Sequence, residues 1–192
     1  IVVAAPDVES VGLGGVGATG CQGGGEPWRL SDGSEATAEV DYAYDQRTST
    51  LEVRVRNTST ATVGGFAPVI SDLWLNLPED AVLTAQLIDQ QTTSGVNTDF
   101  AFTWDPERRG PAALNSAGCF GDFTVHLSAG SLGAIAPVGQ PVSTSVGAVL
   151  ADEVRFTIQL NTDGLLGASA FARTLSVWPR QVPHAVAAAR FV

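Results

Sequence analysis

The feature that most narrows the fold is a pair of neighbouring segments in which apolar and polar residues alternate. From Thr37 onward, Val40, Tyr42 and Tyr44 alternate with Glu39, Asp41 and Ala43. After the polar stretch 46–50, Leu51, Val53 and Val55 alternate with Glu52, Arg54 and Arg56. Period two is the repeat of an extended chain, whose successive side chains point to opposite faces, so each segment reads as a strand with one buried face. Two such strands joined by a short polar loop make an antiparallel hairpin, with acids and bases available to pair across its wet face.

Further extended segments follow at 70–77, 82–88, 100–104, 123–127, 154–160 and 175–178, and another in 185–192. Turn sequences rich in Pro, Asp, Asn and Gly separate them, among them 77–80, 105–111 and 161–164. The one plausible helical piece is short, near 164–172, and no stretch sustains a helical period. The prediction is an all-β protein, an antiparallel β-sandwich of jelly-roll or Ig-like type with about 8–10 strands. A chain of 192 residues can bury one substantial core, so one sandwich domain over 28–192 is expected.

In front of it, residues 6–27 contain eight glycines and few large side chains after Leu13, too little to bury as an element, which predicts a tether. The tether carries Ile1, Val2, Val3, Ala4 and Ala5, a short apolar segment with three β-branched residues. Two placements are open to it: an edge strand of its own domain, or a donor strand completing the sheet of the next subunit through main-chain hydrogen bonds. Head-to-tail donation does not close on itself and gives an open filament. An apolar start without an initiator Met reads as a mature form from which an export signal has been cut.

The net charge of -10, with Arg as the only strong base, argues against a nucleic-acid partner, whose phosphates demand basic side chains. No apolar run approaches the roughly 20 residues of a membrane-spanning helix. Cys21 and Cys119 lie far apart in Gly-rich surroundings, and in an exported protein they are expected to form one disulfide. Closing so long a loop would stabilise the fold by about 4 kcal/mol in the chain-entropy model.

The order of features resembles a known family. Leu51-Glu52-Val53-Arg54-Val55-Arg56-Asn57-Thr58-Ser59, then Gly65-Phe66, then a strand ending Leu77-Pro78, is similar to a run in exported bacterial β-sandwich proteins of the exosortase-sorted (PEP-CTERM) type. Phe123 to Leu127, Gly130 to Gly139, Val154 to Ile158 and Pro183-His184-Ala185 fit the order of that family's later half. The resemblance covers roughly residues 35–192 and implies a place, outside the cell or at its surface, and an architecture, but no chemistry. The sequence departs from the family in carrying no Val-Pro-Glu-Pro motif, apolar helix or Arg cluster near residue 192.

No catalytic set is legible. The Gly-rich run 12–20 looks like a phosphate loop, but no helix is expected after it and no Lys exists to meet a phosphate. His126 sits on the polar side of its strand and His184 follows a proline; no Gly-x-Ser-x-Gly or His-Glu-x-x-His motif accompanies them. Glu39 and Asp41 share a face, as the solvated side of a strand commonly does. The protein is therefore not expected to be an enzyme, nor to carry a cofactor. Calcium is the one ion the loops suit, with Asp32, Glu35, Asn161 and Asp163 as the weak candidate ligands. If Leu73, Leu75 and Leu77 face the core, Trp74 points the other way with Asp72 and Asn76, a surface for another protein chain, a loop or a carbohydrate. The expected function is a secreted, non-catalytic structural subunit of a filament, sheath or matrix that self-associates into a homopolymer. The alternative is a carbohydrate- or surface-ligand-binding module, including a calcium-dependent adhesin.

Overall fold

The computed structural model describes residues 7–17, 20–21, 28–29, 35–60, 62, 64–78, 80–93, 99–106, 122–129, 134–142, 150–164, 166–171 and 187–191. Among them the chain forms fourteen strands and one short helix. The strands are β1 (Asp7–Gly17), β2 (Gly20–Cys21), β3 (Trp28–Arg29), β4 (Glu35–Ala36), β5 (Ala38–Asp45), β6 (Thr50–Asn57) and β7 (Ile70–Leu75). They continue with β8 (Val82–Thr92), β9 (Ala101–Trp104), β10 (Val125–Ser128), β11 (Ala134–Ile135), β12 (Leu150–Ala151), β13 (Glu153–Thr162) and β14 (Ala187–Phe191), and the helix is α1 (Ala168–Phe171).

The hairpin read from the alternation is present: β5 and β6 pair from Ala38↔Asn57 to Asp45↔Thr50, and their buried residues alternate with half-exposed ones as period two requires. The turn between them is fixed by Asp45, whose Oδ1 accepts the Arg47 N–H at 2.9 Å. β13 adds to β6, and β8 adds to β13, completing one antiparallel sheet of order β5-β6-β13-β8. The second sheet has the order β14-β7-β10-β9, with β11 and β12 extending the edge of β7 at Ile70. From β6 to β9 each connection crosses from one sheet to the other, which sets β13 between β6 and β8, and β7 between β14 and β10. This is a sandwich wound in the manner of a jelly roll.

The inner faces meet in one core. Tyr42, Leu51, Val53, Phe156 and Ile158 come from the first sheet, and Leu73, Leu75, Val125, Leu127 and Phe191 from the second. α1 closes the core with Ala168 and Phe171, the Phe171 ring lying 5.2 Å from that of Tyr44. Burial pushes the Tyr42 phenol far up, so the ring stays neutral and acts as an aromatic core residue. On the outer face of the first sheet the predicted cross-strand pairs form a ladder. Arg56 reaches Glu39 at 2.9 Å and Asp41 at 3.1 Å, and Glu153 accepts from Arg155 at 3.0 Å and lies 3.6 Å from Arg54. Arg56–Glu39 is an exposed pair and contributes a few tenths of a kcal/mol, whereas the Asp41 and Glu153 carboxylates are largely covered and need these partners.

The tether expected over 6–27 is corrected for its longest part. β1 pairs antiparallel with β5 from Asp7↔Tyr44 to Leu13↔Ala38, then parallel with β14 from Gly14↔Ala188 to Val16↔Arg190. It thus passes from one sheet into the other and joins both layers, so the sandwich begins at Asp7 rather than Trp28. The expectation counted side-chain volume, whereas a strand flanked by neighbours is held through its main chain. Glycines near the crossing lower the steric cost of the changed path. Ile1 to Ala5 and segment 175–178 lie outside the described residues.

Candidate functional site

The inner residues of β7 alternate with a second set that faces away from the core, and cross-strand register gathers polar groups there. Trp74 stands opposite His126 on β10 and Ala188 on β14, while Asp72 stands opposite Ser128 and Arg190. The Trp74 and His126 rings are stacked, with centroids 4.7 Å apart and planes 1° from parallel. The Asp72 carboxylate, only 6% exposed, accepts from Ser71 Oγ at 2.7 Å and bonds His126 Nε2 at 3.0 Å, with Arg190 Nη1 at 3.5 Å.

Burial alone would push the Asp72 carboxyl up, but hydrogen bonds from His126, Ser71 and Ser128 and the charge of Arg190 outweigh it and hold it down at about 2. An ionised carboxylate only accepts, so the proton of this contact sits on His126 Nε2. Ser71 donates to the carboxylate, held at about 2 and so a weak base, rather than to the imidazole, and the cluster lacks the Ser-His-Asp order of a nucleophilic triad. What it does is tie β10, β7 and β14 together.

A pH dependence follows. A carboxyl depressed on folding stabilises the protein above its unfolded value near 4, and that contribution fades as pH falls toward about 2. Asp72 is expected to contribute about 2 kcal/mol at neutral pH. Urea titrations at pH 7, 4 and 2 should show Asp72→Asn losing about that much at pH 7 and almost nothing relative to the parent at pH 2. A gap that stayed constant with pH would contradict this assignment.

A second polar centre lies where β6 ends. Asn57 is 5% exposed and uses its whole amide: Nδ2 donates to the Pro68 carbonyl at 2.9 Å and the Ile135 carbonyl at 2.8 Å, while Oδ1 accepts the Ser59 N–H at 3.0 Å. Ser59 Oγ in turn accepts the Thr37 N–H at 3.0 Å and donates to the Thr37 carbonyl at 3.2 Å. The run Asn57-Thr58-Ser59, formally a glycosylation acceptor, is thus a joint holding the approaches to β5, β7 and β11. Its amide is occupied and out of reach of modification.

The third feature is the far edge of the first sheet. Among the described residues the eleven-residue β8 forms a strand ladder with β13 alone, and near its end Gln90 bonds Asp99 and Phe100. Its register against β13 slips twice, between Thr157 and Ile158 and between Asn161 and Thr162, which makes Ile88 and Leu83 the extra residues of two bulges. These two are 53% and 56% exposed. Between the bulges Ala85 and Leu87 still pack against the core, and beyond them Gln90 turns inward to accept the Phe100 N–H at 3.0 Å.

Of the residues singled out from the sequence, Asp72 and Trp74 share a face as expected and His126 joins them, and of the roles left open for that face its burial favours cover within the fold. Trp74 is 7% exposed and Asn76 fully buried, so no open aromatic platform exists there. Asn161 is the last residue but one of β13, Asp163 donates its N–H to the Ala81 carbonyl in the turn after it, and Glu35 belongs to the two-residue β4. Asp32 lies outside the described residues, and among those described no three His, Cys, Asp or Glu side chains converge on a metal position. Cys21 lies on β2 beside Val16, whereas Cys119, and with it the expected disulfide, falls outside the described residues, as does His184.

Sequence reasoning overlooked the Asn57 joint and the bulged edge. Asn57-Thr58-Ser59 was legible only as the end of a strand. The bulges carry no local signal, because a slip exists only relative to a neighbour more than sixty residues later in the chain. No family model matches this chain, and comparison with curated proteins and with solved structures finds no match either.

Proposed function

We propose that the protein is a non-catalytic structural subunit of an extracellular filament, sheath or matrix, a sandwich that joins to further copies through a sheet edge. The observation that carries this reading is β8: eleven residues, paired on one side among those described, with Leu83 and Ile88 turned to solvent. Natural sandwiches blunt such edges with Lys, Pro, inward charges or bulges, because an open edge recruits other strands. β8 has two bulges but no Lys or Pro and only one charge, Asp89. Its bulges turn apolar rather than polar side chains, Leu83 and Ile88, to solvent. The polar cluster around Asp72 supports the same reading, since its geometry clamps strands and leaves Ser71 unactivated. The family resemblance, which places such sandwiches at the cell surface, agrees with it.

The test is sedimentation velocity from micromolar to millimolar concentration, on the parent and on a Leu83→Lys, Ile88→Lys double variant. Both side chains are exposed, so the variant should fold with an unchanged melting temperature. The parent is expected to form concentration-dependent oligomers and the variant to remain monomeric. A parent that stayed monomeric throughout, or a variant that assembled equally well, would overturn the proposal.

A further inference from the structure

We infer that the Leu83 and Ile88 side chains of one copy dock against an apolar tip formed by Phe66 and Val138 of a second copy, a contact between side chains rather than an added strand; this deepens the assembly reading above and rests on it. The first ground is where apolar surface remains. Among the described residues the exposed large apolar side chains are Phe66, Leu83, Ile88 and Val138. Such side chains are ordinary when scattered singly, but these fall into two groups. Leu83 and Ile88 stand on one strand, and Phe66 and Val138 on two loops that run together. The bulges at Leu83 and Ile88 interrupt the regular ladder that an added strand needs, so what this part of β8 offers a partner is its side chains.

The second ground is that the tip is held in place. The Ala67 N–H donates to the Pro141 carbonyl at 2.8 Å, Gln140 Nε2 donates to the Ser59 carbonyl at 3.3 Å, and Asn57 Nδ2 bridges the carbonyls of Pro68 and Ile135, so the two loops are laced together. Val69 of one loop packs with Ala136 and Val142 of the other. Phe66 follows Gly65 and Val138 precedes Gly139, whose φ angles of 86° and 71° are turns that glycine makes without strain. Phe66 is nevertheless 45% exposed and Val138 73% exposed. Apolar side chains carried on turns fixed in this way lose little freedom on contact, so more of the gain from burying them is kept as affinity.

The third ground is charge. Copies carrying a net charge of -10 repel one another, and contact is cheapest where charge is sparse. Neither 57–71 nor 134–142 contains Asp, Glu, Lys or Arg, and neither does 82–88. Two β8 strands brought together would each carry the exposed Asp89, next to Ile88, into the contact, whereas the loops of the tip bring no carboxylate. Edge against tip is therefore favoured over edge against edge. Position then sets the form of the assembly. The tip adjoins Asn57, where β6 ends, while Gln86 is level with Gln159 and Thr50, where β6 begins, and Leu83 lies further out. With the tip and Leu83 at opposite ends of the first sheet, the contact is head-to-tail and propagates.

The experiment uses the full chain in two variants with complementary defects. One carries Phe66→Lys and Val138→Lys and keeps only the β8 surface; the other carries Leu83→Lys and Ile88→Lys and keeps only the tip. The two have the same net charge, so a difference between them does not come from overall repulsion. Each alone is expected to sediment as a monomer, while their mixture gives a 1:1 complex that grows no further. If the tip variant oligomerises as the parent does, the tip inference fails while assembly through β8 stands. If the parent itself does not assemble, both fail. A mixture that remains monomeric although the parent assembles also overturns the inference. Should the double substitution at the tip lower the melting temperature, Val138→Lys alone reads the same contact: assembly about tenfold weaker is expected, and unchanged assembly overturns the inference.

Discussion

Asn57→Ala is expected to lower the unfolding free energy by about 4 kcal/mol and the melting temperature by about 10 °C. The reason is the number of groups stranded. The Asn57 amide satisfies the carbonyls of Pro68 and Ile135 and the N–H of Ser59, and alanine leaves all three without it at a buried position. A buried polar group without a partner costs about 1–3 kcal/mol, and partial entry of water moderates the sum. Asn57→Asp discriminates this account from a loss of packing, because it keeps the shape and removes the donors. An ionised carboxylate facing two carbonyls should be at least as damaging as alanine at pH 7 and recover in part at acid pH, where a protonated carboxyl regains one donor. Thermal unfolding of the three proteins at pH 7 and 4 checks it; an Asp variant as stable as the parent at pH 7 would contradict the hydrogen-bond assignment.

Phe156→Ala should be comparably severe, at about 4 kcal/mol, for a different reason. Phe156 is fully buried on β13, flanked by Val53 on β6 and Gln90 on β8, and its ring meets that of Phe100 edge-on at 5.2 Å and 82°. Truncation removes apolar contact and opens a cavity at the place where the two sheets are held face to face. Phe156→Leu, which retains most of the volume, should cost about 1–1.5 kcal/mol. In guanidinium titrations both variants are expected to shift the midpoint without changing the slope, since the folded surface is unaltered. An alanine variant within 1 kcal/mol of the parent would place Phe156 outside the tightly packed part of the core.

These two effects differ in how far the sequence announces them. Phe156 belongs to a segment whose alternation places it inside, and its burial needed no coordinates. Asn57 closes another such segment and was legible only as a polar strand end. Its importance depends on Pro68 and Ile135, residues that only the folded chain brings to its side chain. Trp74 falls between: period two correctly turned it away from the core, but its 7% exposure depends on what else the fold stacks over that face, beginning with His126. Likewise, glycine content made 7–17 look like a tether, while the position between β5 and β14 makes it a strand.

The sequence by itself determined the periodicity, hence the alternating strands such as β5, β6 and β13, their buried faces and the all-β class, because side-chain alternation is a local property of an extended backbone. It also determined the charge ladder on the first hairpin, since a short loop pairs neighbouring strands in register. Tertiary structure decided the sheet order, the passage of β1 between the layers, the Asp72 clamp, the Asn57 joint and the bulged edge of β8. Each of these is a relation between residues distant in sequence. Main-chain hydrogen bonds, alike at every residue, do not choose between partners until packing of the core selects the register.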